Sequence, residues 1–188
     1  MNYPYFTADL HFNHRHCFEN YRHLFYNTID NMNVSIINNI LSTVPKRATL
    51  YILGDIFKAE YLGLLKPNEY KIKILFGNED VKYDNEKING RQMIIDVLNK
   101  YNIDYEIIED GHTICSGFVY LSHDKLPMDQ INPGCINLHG HIHMGKDHPN
   151  KVPEPLYNEG GRYCNCTLDY NNFKPISLLT AYRKLGIL

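Results

Sequence analysis

The sequence lacks both a long apolar run and an excess of charge of one sign. None of its apolar stretches approaches the roughly 18 residues that a membrane span needs, and its first residues show no signal-peptide pattern. Lys and Arg number 19 and Asp and Glu number 21, which gives a formal net charge of -2. We therefore expect a cytoplasmic protein with no membrane partner, and a basic face for long nucleic acid is not indicated.

Cysteine is sparse and scattered. The chain has five, an odd number, and only Cys164 and Cys166 are close together in sequence. In a chain without a secretory pattern, this favours free thiols over a disulfide framework. The Cys-x-Cys spacing alternates like a strand and differs from the CxxC of zinc sites, so these two residues carry little weight as a ligand pair.

Internal repeats, low-complexity tracts and linkers rich in Pro, Gly or Ser are also missing from the sequence. With 188 residues, of which 44% are apolar and 21% charged, the chain has the size and composition of one globular domain. We expect a single domain over residues 1–188.

Strand and helix patterns alternate in the first half of the chain, and short strands dominate the second half. Helical segments are predicted over residues 28–44 with Thr28 as N-cap, 61–65, 88–101 and 180–185. Strands are predicted over residues 3–7, 49–53, 70–76, 105–109, 112–116, 119–122, 135–139, 163–169 and 175–178. This order predicts an α/β fold in which two sheets pack face to face as a β-sandwich flanked by helices.

The residue that stands out is histidine, with ten in the chain. Imidazole titrates near neutrality and is the commonest metal ligand in proteins. Several of these His lie, with Asp and Asn, just where an apolar strand ends, which is the edge where ligands bind in open α/β sheets. Five such strand endings are found: Asp9-Leu10-His11, Gly54-Asp55, Gly77-Asn78-Glu79-Asp80, Ser122-His123 and Gly140-His141-Ile142-His143.

The strand endings supply two Asp, one Asn and four His side chains as candidate metal ligands. Oxygen and nitrogen donors without thiolate suit divalent ions such as Mn, Fe, Zn or Ni. Seven side chains are too many for one ion. They suit two ions that share a bridging carboxylate, an arrangement that holds the attacking and leaving oxygens of an in-line displacement at phosphorus.

In this order, the five motifs resemble the pattern of the calcineurin-like metallophosphoesterase superfamily: DxH, GD, GN(H/E), a lone His and GHxH. Each motif alone is short and weak, but five in order, each at a strand end, are specific. The resemblance extends from Tyr5 to about Leu178. It implies the four-layer αββα fold of that superfamily.

The resemblance also implies a role for each residue that matches a motif. The first ion would be held by Asp9, His11, Asp55 and His143. The second would be held by Asp55, Asn78, His123 and His141, so that Asp55 bridges the two. The ions are expected to be Mn, with Fe, Zn, Ni or Mg as alternatives, and a hydroxide between them would attack phosphorus in line. Asp55 and Asn78 are therefore expected to be catalytic residues as well as ligands.

The chain departs from the family at Glu79, where many members carry a His that acts as leaving-group acid or phosphate clamp. An ionised Glu repels phosphate, so the general acid is left unassigned at this position. His14, in the His-rich stretch after the first motif, is a candidate catalytic acid and substrate-binding residue. Arg22 is a candidate phosphate contact, with a solvated loop position as an equal alternative.

The remaining histidines are not expected to be metal ligands. His139 is expected to pack near the ligands, and four others are expected at the surface: His16, His23, His112 and His148. The long segment 144–161 is a candidate rim of the substrate site. Three cations in or beside it are candidate anion contacts: Lys146, Lys151 and Arg162.

These observations predict a metal-dependent phosphatase or phosphodiesterase acting on a small phosphorylated substrate, such as a nucleotide or another soluble ester. A nuclease or RNA-end phosphatase is the alternative within the enzymes, and it requires a basic groove beside the metals. A non-catalytic binding module on the same fold is the alternative outside the enzymes. Such modules usually have broken ligand sets, whereas all seven ligand positions are filled here.

Overall fold

The computed structural model describes residues 3–85, 90–143 and 161–188, and it has an α/β fold with two mixed sheets. Its strands are β1 (Tyr5–Thr7), β2 (Thr49–Leu53), β3 (Lys71–Leu75), β4 (Asp104–Ile107), β5 (His112–Ile114), β6 (Val119–Leu121), β7 (Ile136–His139), β8 (Tyr163–Asn165) and β9 (Ile176–Ser177). Its α-helices are α1 (Arg15–Cys17), α2 (Ile29–Thr43), α3 (Asn78–Asn85), α4 (Gly90–Lys100) and α5 (Leu178–Lys184). The other helical segments are a π-helical turn (Phe18–Arg22) and 3-10 helices at Ala59–Asn68, Met128–Gln130 and Leu168–Asn171. None of the helices in these ranges combines the length and apolarity that crossing a bilayer requires.

The larger sheet has five strands in the order β4-β3-β2-β1-β9. Strands β1 to β4 pair in parallel, and β9 pairs antiparallel with β1. Because the first four strands are parallel, their carboxyl ends lie at one edge of the sheet, and the loops that follow them converge there.

The smaller sheet has four strands in the order β5-β6-β7-β8, of which β6, β7 and β8 are parallel. One isolated parallel bridge joins Ala8, after β1, to Thr167, after β8. The Ala8 amide donates to the Cys166 carbonyl over 3.1 Å. This bridge brings the carboxyl ends of strands from both sheets to one place.

Two hydrophobic clusters form the core, one on each face of the larger sheet. The first contains Leu50, Ile52 and Ile72 of that sheet together with Ile36 and Ile40 of α2. The second cluster joins residues of the larger sheet, the smaller sheet and α5: Phe6, Leu53, Leu75, Val119, Leu121, Ile136, Leu138, Leu178 and Ala181. The larger sheet is therefore buried on both faces, as expected for parallel strands.

Most of the predicted elements are confirmed to within a few residues. Helix α2 begins after Thr28, whose side chain accepts a hydrogen bond from the Asn31 amide over 3.1 Å, as the N-cap prediction requires. The segment predicted as one strand over 163–169 ends at Asn165, and Leu168–Asn171 form a 3-10 helix instead.

Two helical segments were missed by the sequence patterns. Arg15–Cys17 and Phe18–Arg22 are helical where a His-rich loop was expected, and Asn78–Asn85 form α3 where only a polar strand ending was expected. Both stretches are rich in polar residues and lack the apolar periodicity from which amphipathic helices are predicted.

Candidate metal centre

All seven predicted metal ligands lie at the converging strand ends. Asp9 and His11 follow β1, Asp55 follows β2, Asn78 opens α3 after β3, His123 follows β6, and His141 and His143 follow β7. Their donor atoms are close together: His11 Nε2 is 3.1 Å from His143 Nε2, and His123 Nε2 is 3.0 Å from Asn78 Oδ1. His141 Nδ1 lies 3.2 Å from His123 Nε2.

The donors fall into two groups that share Asp55. One group contains Asp9, His11 and Asp55, the other contains Asp55, His123 and His141, and the ligand atoms within each group lie within 4.8 Å of one another. Asp55 Oδ2 is 3.5 Å from His11 Nε2 and 3.6 Å from His123 Nε2. A single carboxylate oxygen thus lies between the imidazole nitrogens of the two groups.

Asp9 presents one oxygen that has no protein partner. Its Oδ2 accepts hydrogen bonds from Thr167 Oγ1 at 2.8 Å and from the His141 amide at 2.9 Å. Its Oδ1 is buried and has no hydrogen-bond partner among the described residues, and it lies 3.6 Å from His143 Nε2. A buried carboxylate oxygen without a partner is costly, and a cation bound at this position removes the cost. The donor set therefore fits a metal ion.

Two of the imidazoles are held by a hydrogen bond at Nδ1, which leaves Nε2 facing the cluster. His123 donates from Nδ1 to the Leu53 carbonyl over 2.9 Å, and His143 donates from Nδ1 to Asp169 Oδ2 over 2.6 Å. Metal-bound His residues are usually oriented in this way, because the outer hydrogen bond fixes the tautomer of the ring.

The backbone at the ligands is strained. Asp9, His11, Asp55 and His141 have φ values of 57°, 45°, 55° and 67°, in the left-handed region that non-glycine residues rarely adopt. Such conformations cost about 1–3 kcal/mol each and cluster at functional sites, where the surrounding structure holds them in place.

Glycine at three motif positions leaves room for the ligands. A Cβ on Gly77 would lie 2.1 Å from Asp55 Oδ1, and one on Gly54 would lie 2.3 Å from His123 Nδ1. A Cβ on Gly140 would lie 2.7 Å from Asp9 Oδ2. These contacts are too short for any side chain, so the glycine of the GD, GN and GH motifs is required by the packing of the ligand side chains.

Burial and mutual repulsion shift the pKa values of the ligands in the metal-free protein. Burial raises the pKa of Asp55 to about 7, with His123 opposing the shift and Asp9 adding to it. Burial, and then repulsion by His143, hold the pKa of His11 well below its ordinary value. Burial lowers the pKa of His143, but the hydrogen bond and charge of Asp169 together with the charge of Asp9 outweigh it, so that the net shift is upward.

Asp80 was missed as a site residue, although it belongs to the GNED stretch. Its side chain is buried and accepts four backbone hydrogen bonds: from Asp55 and Gly77 to Oδ2 at 2.9 and 3.0 Å, and from Ile56 and Phe57 to Oδ1 at 2.9 and 3.1 Å. It therefore fastens the loop after β2 to the loop after β3. Sequence alone gave no reason to prefer it over Glu79.

The structure contradicts the prediction that Arg22 binds phosphate. Its side chain is fully buried and donates from Nε to Asp169 Oδ1 over 2.8 Å, and to the carbonyl oxygens of Leu10 and Asp9. Because the side chain is fully buried and is not among the residues that line the pocket, it does not reach a substrate there, and the alternative of a solvated loop position is wrong as well. Arg22 instead holds the backbone between Asp9 and His11 and places Asp169 beside His143.

His14, the candidate catalytic acid, lies beside the candidate ligand His11. Its Nδ1 is 2.9 Å from His11 Nδ1, and its ring stacks on Phe57 with centroids 4.3 Å apart. Burial lowers the pKa of His14, and the nearby Glu79 carboxylate opposes the shift. Glu79 Oε1 accepts a hydrogen bond from Asn78 Nδ2 over 3.0 Å.

A pocket of about 410 Å³ opens onto the cluster. It is lined by His11, His14, His16, Cys17, Tyr21, Asp55, Asn78, Glu79, His141 and His143. Neither Lys nor Arg is among these lining residues. Tyr21, which the sequence analysis did not single out, stacks on His143 with ring centroids 4.7 Å apart and an interplanar angle of 11°.

Cys17 is a second residue that the sequence analysis missed. It is 1% exposed, and its Sγ lies within 4.8 Å of ligand atoms of both His11 and His143. Burial raises the pKa of its thiol to about 12, with the charge of Arg22 opposing the shift. The position alone, three residues after His14, gave no indication of this contact.

The other predicted residues lie away from the cluster or outside the described ranges. Arg162 is half-buried, its guanidinium donates to the carbonyls of Cys135, Ile131 and Asn132, and it is not among the residues that line the pocket. Cys164 and Cys166 are buried in the second core cluster, and His139 is fully buried, with burial lowering its pKa to about 4. His16 and His23 are exposed and His112 is half-buried. Lys146, His148, Lys151 and most of the predicted rim 144–161 lie outside the described residues.

A larger cavity, of about 760 Å³, lies at the opposite edge of the larger sheet, where β3 and β4 begin. Leu65, Tyr70 and Ile72 are among its lining residues, and none of its described lining residues is a His or Cys. Of these two cavities, the smaller one is therefore the one whose described lining offers imidazole and thiol donors.

The comparisons with known proteins bear on the fold. No model of a protein family and no curated protein matches the chain. The structure is similar to the crystal structure of a protein of unknown function from Aquifex aeolicus, with a TM-score of 0.63 and 24% sequence identity. The match covers 96% of this chain and 98% of that chain. At this level of identity, the similarity shows a shared fold alone.

Proposed function

We propose that the protein is a two-metal phosphoesterase that hydrolyses phosphate mono- or diesters. The observation that carries the proposal is the position of Asp55, whose Oδ2 lies within 3.6 Å of both His11 Nε2 and His123 Nε2. A carboxylate shared by two groups of donors is what a pair of divalent ions requires, and paired ions are suited to displacement at phosphorus.

One ion would be held by Asp9, His11, Asp55 and His143, and the other by Asp55, Asn78, His123 and His141. When bound, divalent ions make a coordinated water more acidic and neutralise negative charge on phosphoryl oxygens. Nitrogen and oxygen donors make Mn, Fe, Zn, Ni or Mg suitable occupants.

The remaining residues of the pocket position these ligands and meet the substrate. Glu79 accepts the hydrogen bond of Asn78 Nδ2, which directs Asn78 Oδ1 towards His123 Nε2 at 3.0 Å. Glu79 therefore orients a candidate ligand. His14 is fixed by His11 and Phe57 at the pocket wall and supplies a ring nitrogen for a phosphoryl or leaving-group oxygen.

The size and charge of the pocket favour a small ester, such as a nucleotide. A volume of about 410 Å³ lies near the lower end of the range of small-molecule sites, which is roughly 300–1,000 Å³. The wall described above offers imidazole, phenol and carboxylate groups but no Lys or Arg. Binding of a long nucleic acid backbone depends on such cations, so a nuclease is less well supported.

The architecture supports the same assignment. We propose that the two sheets form the inner layers of a four-layer αββα sandwich. Residues of both sheets share the second core cluster, and α2 packs on the other face of the larger sheet. The bridge between Ala8 and Thr167 accounts for ligands from both sheets meeting at one edge.

The test is hydrolysis of aryl phosphate mono- and diesters by protein that has been stripped with a chelator and reloaded with Mn. We expect turnover that requires the metal and that falls by at least about a hundredfold in Asp55→Asn and His123→Ala, since both remove a ligand of the second group. Matched controls are Asp129→Asn and His23→Ala, which change exposed residues away from the cluster.

Two results would overturn the proposal. Metal binding without turnover on either ester, with wild-type protein no more active than Asp55→Asn, favours a binding module. Turnover confined to RNA or DNA, with a steep loss of affinity at higher salt, favours a nuclease.

A further inference from the structure

We propose that Cys17 is a thiolate ligand of the ion held by Asp9, His11 and His143. This inference rests on the proposed function and deepens it. One of the two ion sites would contain a thiolate ligand, and the other would not. None of the five motifs contains this residue, and it comes from the geometry of the cluster alone.

The first argument is the position of the sulfur atom. Cys17 lies at the end of α1, one turn after His14, with a side chain that is 1% exposed yet contributes to the wall of the pocket. Its Sγ and one nitrogen each of His11 and His143 lie within 4.8 Å of one another. Zn–S and Zn–N bonds of tetrahedral geometry place the two donor atoms about 3.6 Å apart, so donors within 4.8 Å of one another need to approach by about 1 Å at most to bind one ion.

Asp9 provides an observation that does not involve the cysteine. Asp9 Oδ1 is fully buried, has no hydrogen-bond partner among the described residues, and lies 3.6 Å from His143 Nε2 and 3.8 Å from His11 Nε2. His11 and His143 are therefore close to both the Cys17 sulfur and the unpartnered Asp9 oxygen, and a cation bound beside the two histidines would compensate the buried negative charge.

A thiolate has a definite consequence for metal choice. Thiolate and imidazole together favour Zn, Fe or Co over Mn, whereas carboxylate, amide and imidazole donors accept Mn readily. The site with Cys17 would therefore prefer a thiophilic ion, and the site with Asn78, His123 and His141 would not share that preference. The thiol proton is released to solvent when the ion binds.

The test is the absorption spectrum of protein loaded with Co(II) at one and at two equivalents. We expect a near-ultraviolet thiolate-to-cobalt charge-transfer band in the wild type, and we expect Cys17→Ser to lose it while keeping the weaker visible bands from the other ligands. Competition between Zn and Mn provides a second readout, with the preference for Zn falling by about tenfold or more in Cys17→Ser.

The matched control is Cys115→Ser, which removes an exposed thiol and should keep the band. A band that is absent from the wild type, or that survives in Cys17→Ser, overturns the proposal. Should both Cys17→Ser and Cys17→Ala fail to fold, X-ray absorption by the Co-loaded wild type decides, because a sulfur neighbour at about 2.3 Å is then required.

The outcomes separate this proposal from the function on which it rests. Metal-dependent hydrolysis with no sulfur-derived band supports the phosphoesterase activity and shows that Cys17 is not a ligand. A sulfur-derived band without hydrolysis of any phosphate ester shows that Cys17 is a ligand and contradicts the phosphoesterase activity.

Discussion

His143 donates a hydrogen bond from Nδ1 to Asp169 Oδ2 over 2.6 Å, and the other oxygen of Asp169 accepts one from Arg22 Nε over 2.8 Å. Both Arg22 and the Asp169 side chain are fully buried. Burial raises the pKa of Asp169, but the charge of Arg22 and the contact with His143 together outweigh it and bring the value down to about 2. The carboxylate is thus kept ionised behind a candidate ligand, where it fixes the ring and increases the basicity of Nε2.

Replacing Asp169 tests this relationship. Asp169→Asn keeps the shape but removes the negative charge between Arg22 and His143. We expect Mn affinity, measured by calorimetric titration, to fall by about 10–100-fold, and the free energy of unfolding to fall by about 3–5 kcal/mol because Arg22 is left buried without a counter-ion. Asp129→Asn, at an exposed position, should change neither quantity. Unchanged Mn affinity in folded Asp169→Asn would show that His143 does not depend on this carboxylate.

Asp80 gives a prediction about stability. Its two oxygens accept four backbone N–H groups from the loops after β2 and β3. In Asp80→Asn, the oxygen replaced by an NH₂ group can no longer accept, and two buried donors lose their partner. We expect the free energy of unfolding in urea to fall by about 3 kcal/mol, since an unsatisfied buried donor costs about 1–3 kcal/mol. The control Asp96→Asn, on the exposed side of α4, should cost less than about 0.5 kcal/mol.

Substitution of Gly77 tests whether a clash between a new Cβ and the candidate ligands reduces metal binding. A glycine whose positive φ is the only obstacle to a side chain serves as the control. In Gly77→Ala the new Cβ would lie 2.1 Å from Asp55 Oδ1 and 2.7 Å from His123 Cε1. We expect the shared carboxylate to be displaced, so that elemental analysis after dialysis finds less bound metal than in the wild type. Gly134→Ala is the matched control, because its φ of +80° is strained for Ala while its Cβ would meet nothing within 4 Å. It should lose about 1–2 kcal/mol of stability and keep its metal; equal metal content in both variants would contradict the steric argument.

The positions of the seven candidate ligands could be predicted because each follows a short apolar strand. Parallel pairing of β1, β2 and β3 then brings Asp9, Asp55 and Asn78 to one edge without further information. The strand patterns needed for this step are local, since residues 49–53 form a continuous apolar run and residues 70–76 alternate apolar residues with two Lys. The ligand geometry is therefore encoded in segments that can be interpreted one at a time.

The residues that support the ligands could not be predicted in this way. Arg22 and Asp169 are 147 residues apart in sequence, and Thr167 is 158 residues from Asp9, so that no local pattern relates them. An Arg in a polar, His-rich stretch has the composition of a surface residue until its buried carboxylate partner is known. The same holds for Cys17. Its role as a candidate ligand depends on its proximity to His143, which is distant in sequence and is brought close only by the fold.

His14 provides a prediction about the chemical step. A general acid protonates the leaving oxygen and matters most when that oxygen is a poor leaving group, and its removal typically costs 10²–10⁴-fold. We expect His14→Ala to lower kcat on an alkyl phosphate by roughly a hundredfold or more, and to lower kcat on a nitrophenyl phosphate much less, because nitrophenolate leaves without a proton. Mn affinity should stay within a few-fold, since the ring of His14 reaches the cluster only through His11 Nδ1. His23→Ala, an exposed histidine of the same segment, should leave both rates unchanged. An equal loss on the two esters would assign His14 to phosphate binding instead of proton transfer, and a loss of metal would assign it to holding His11.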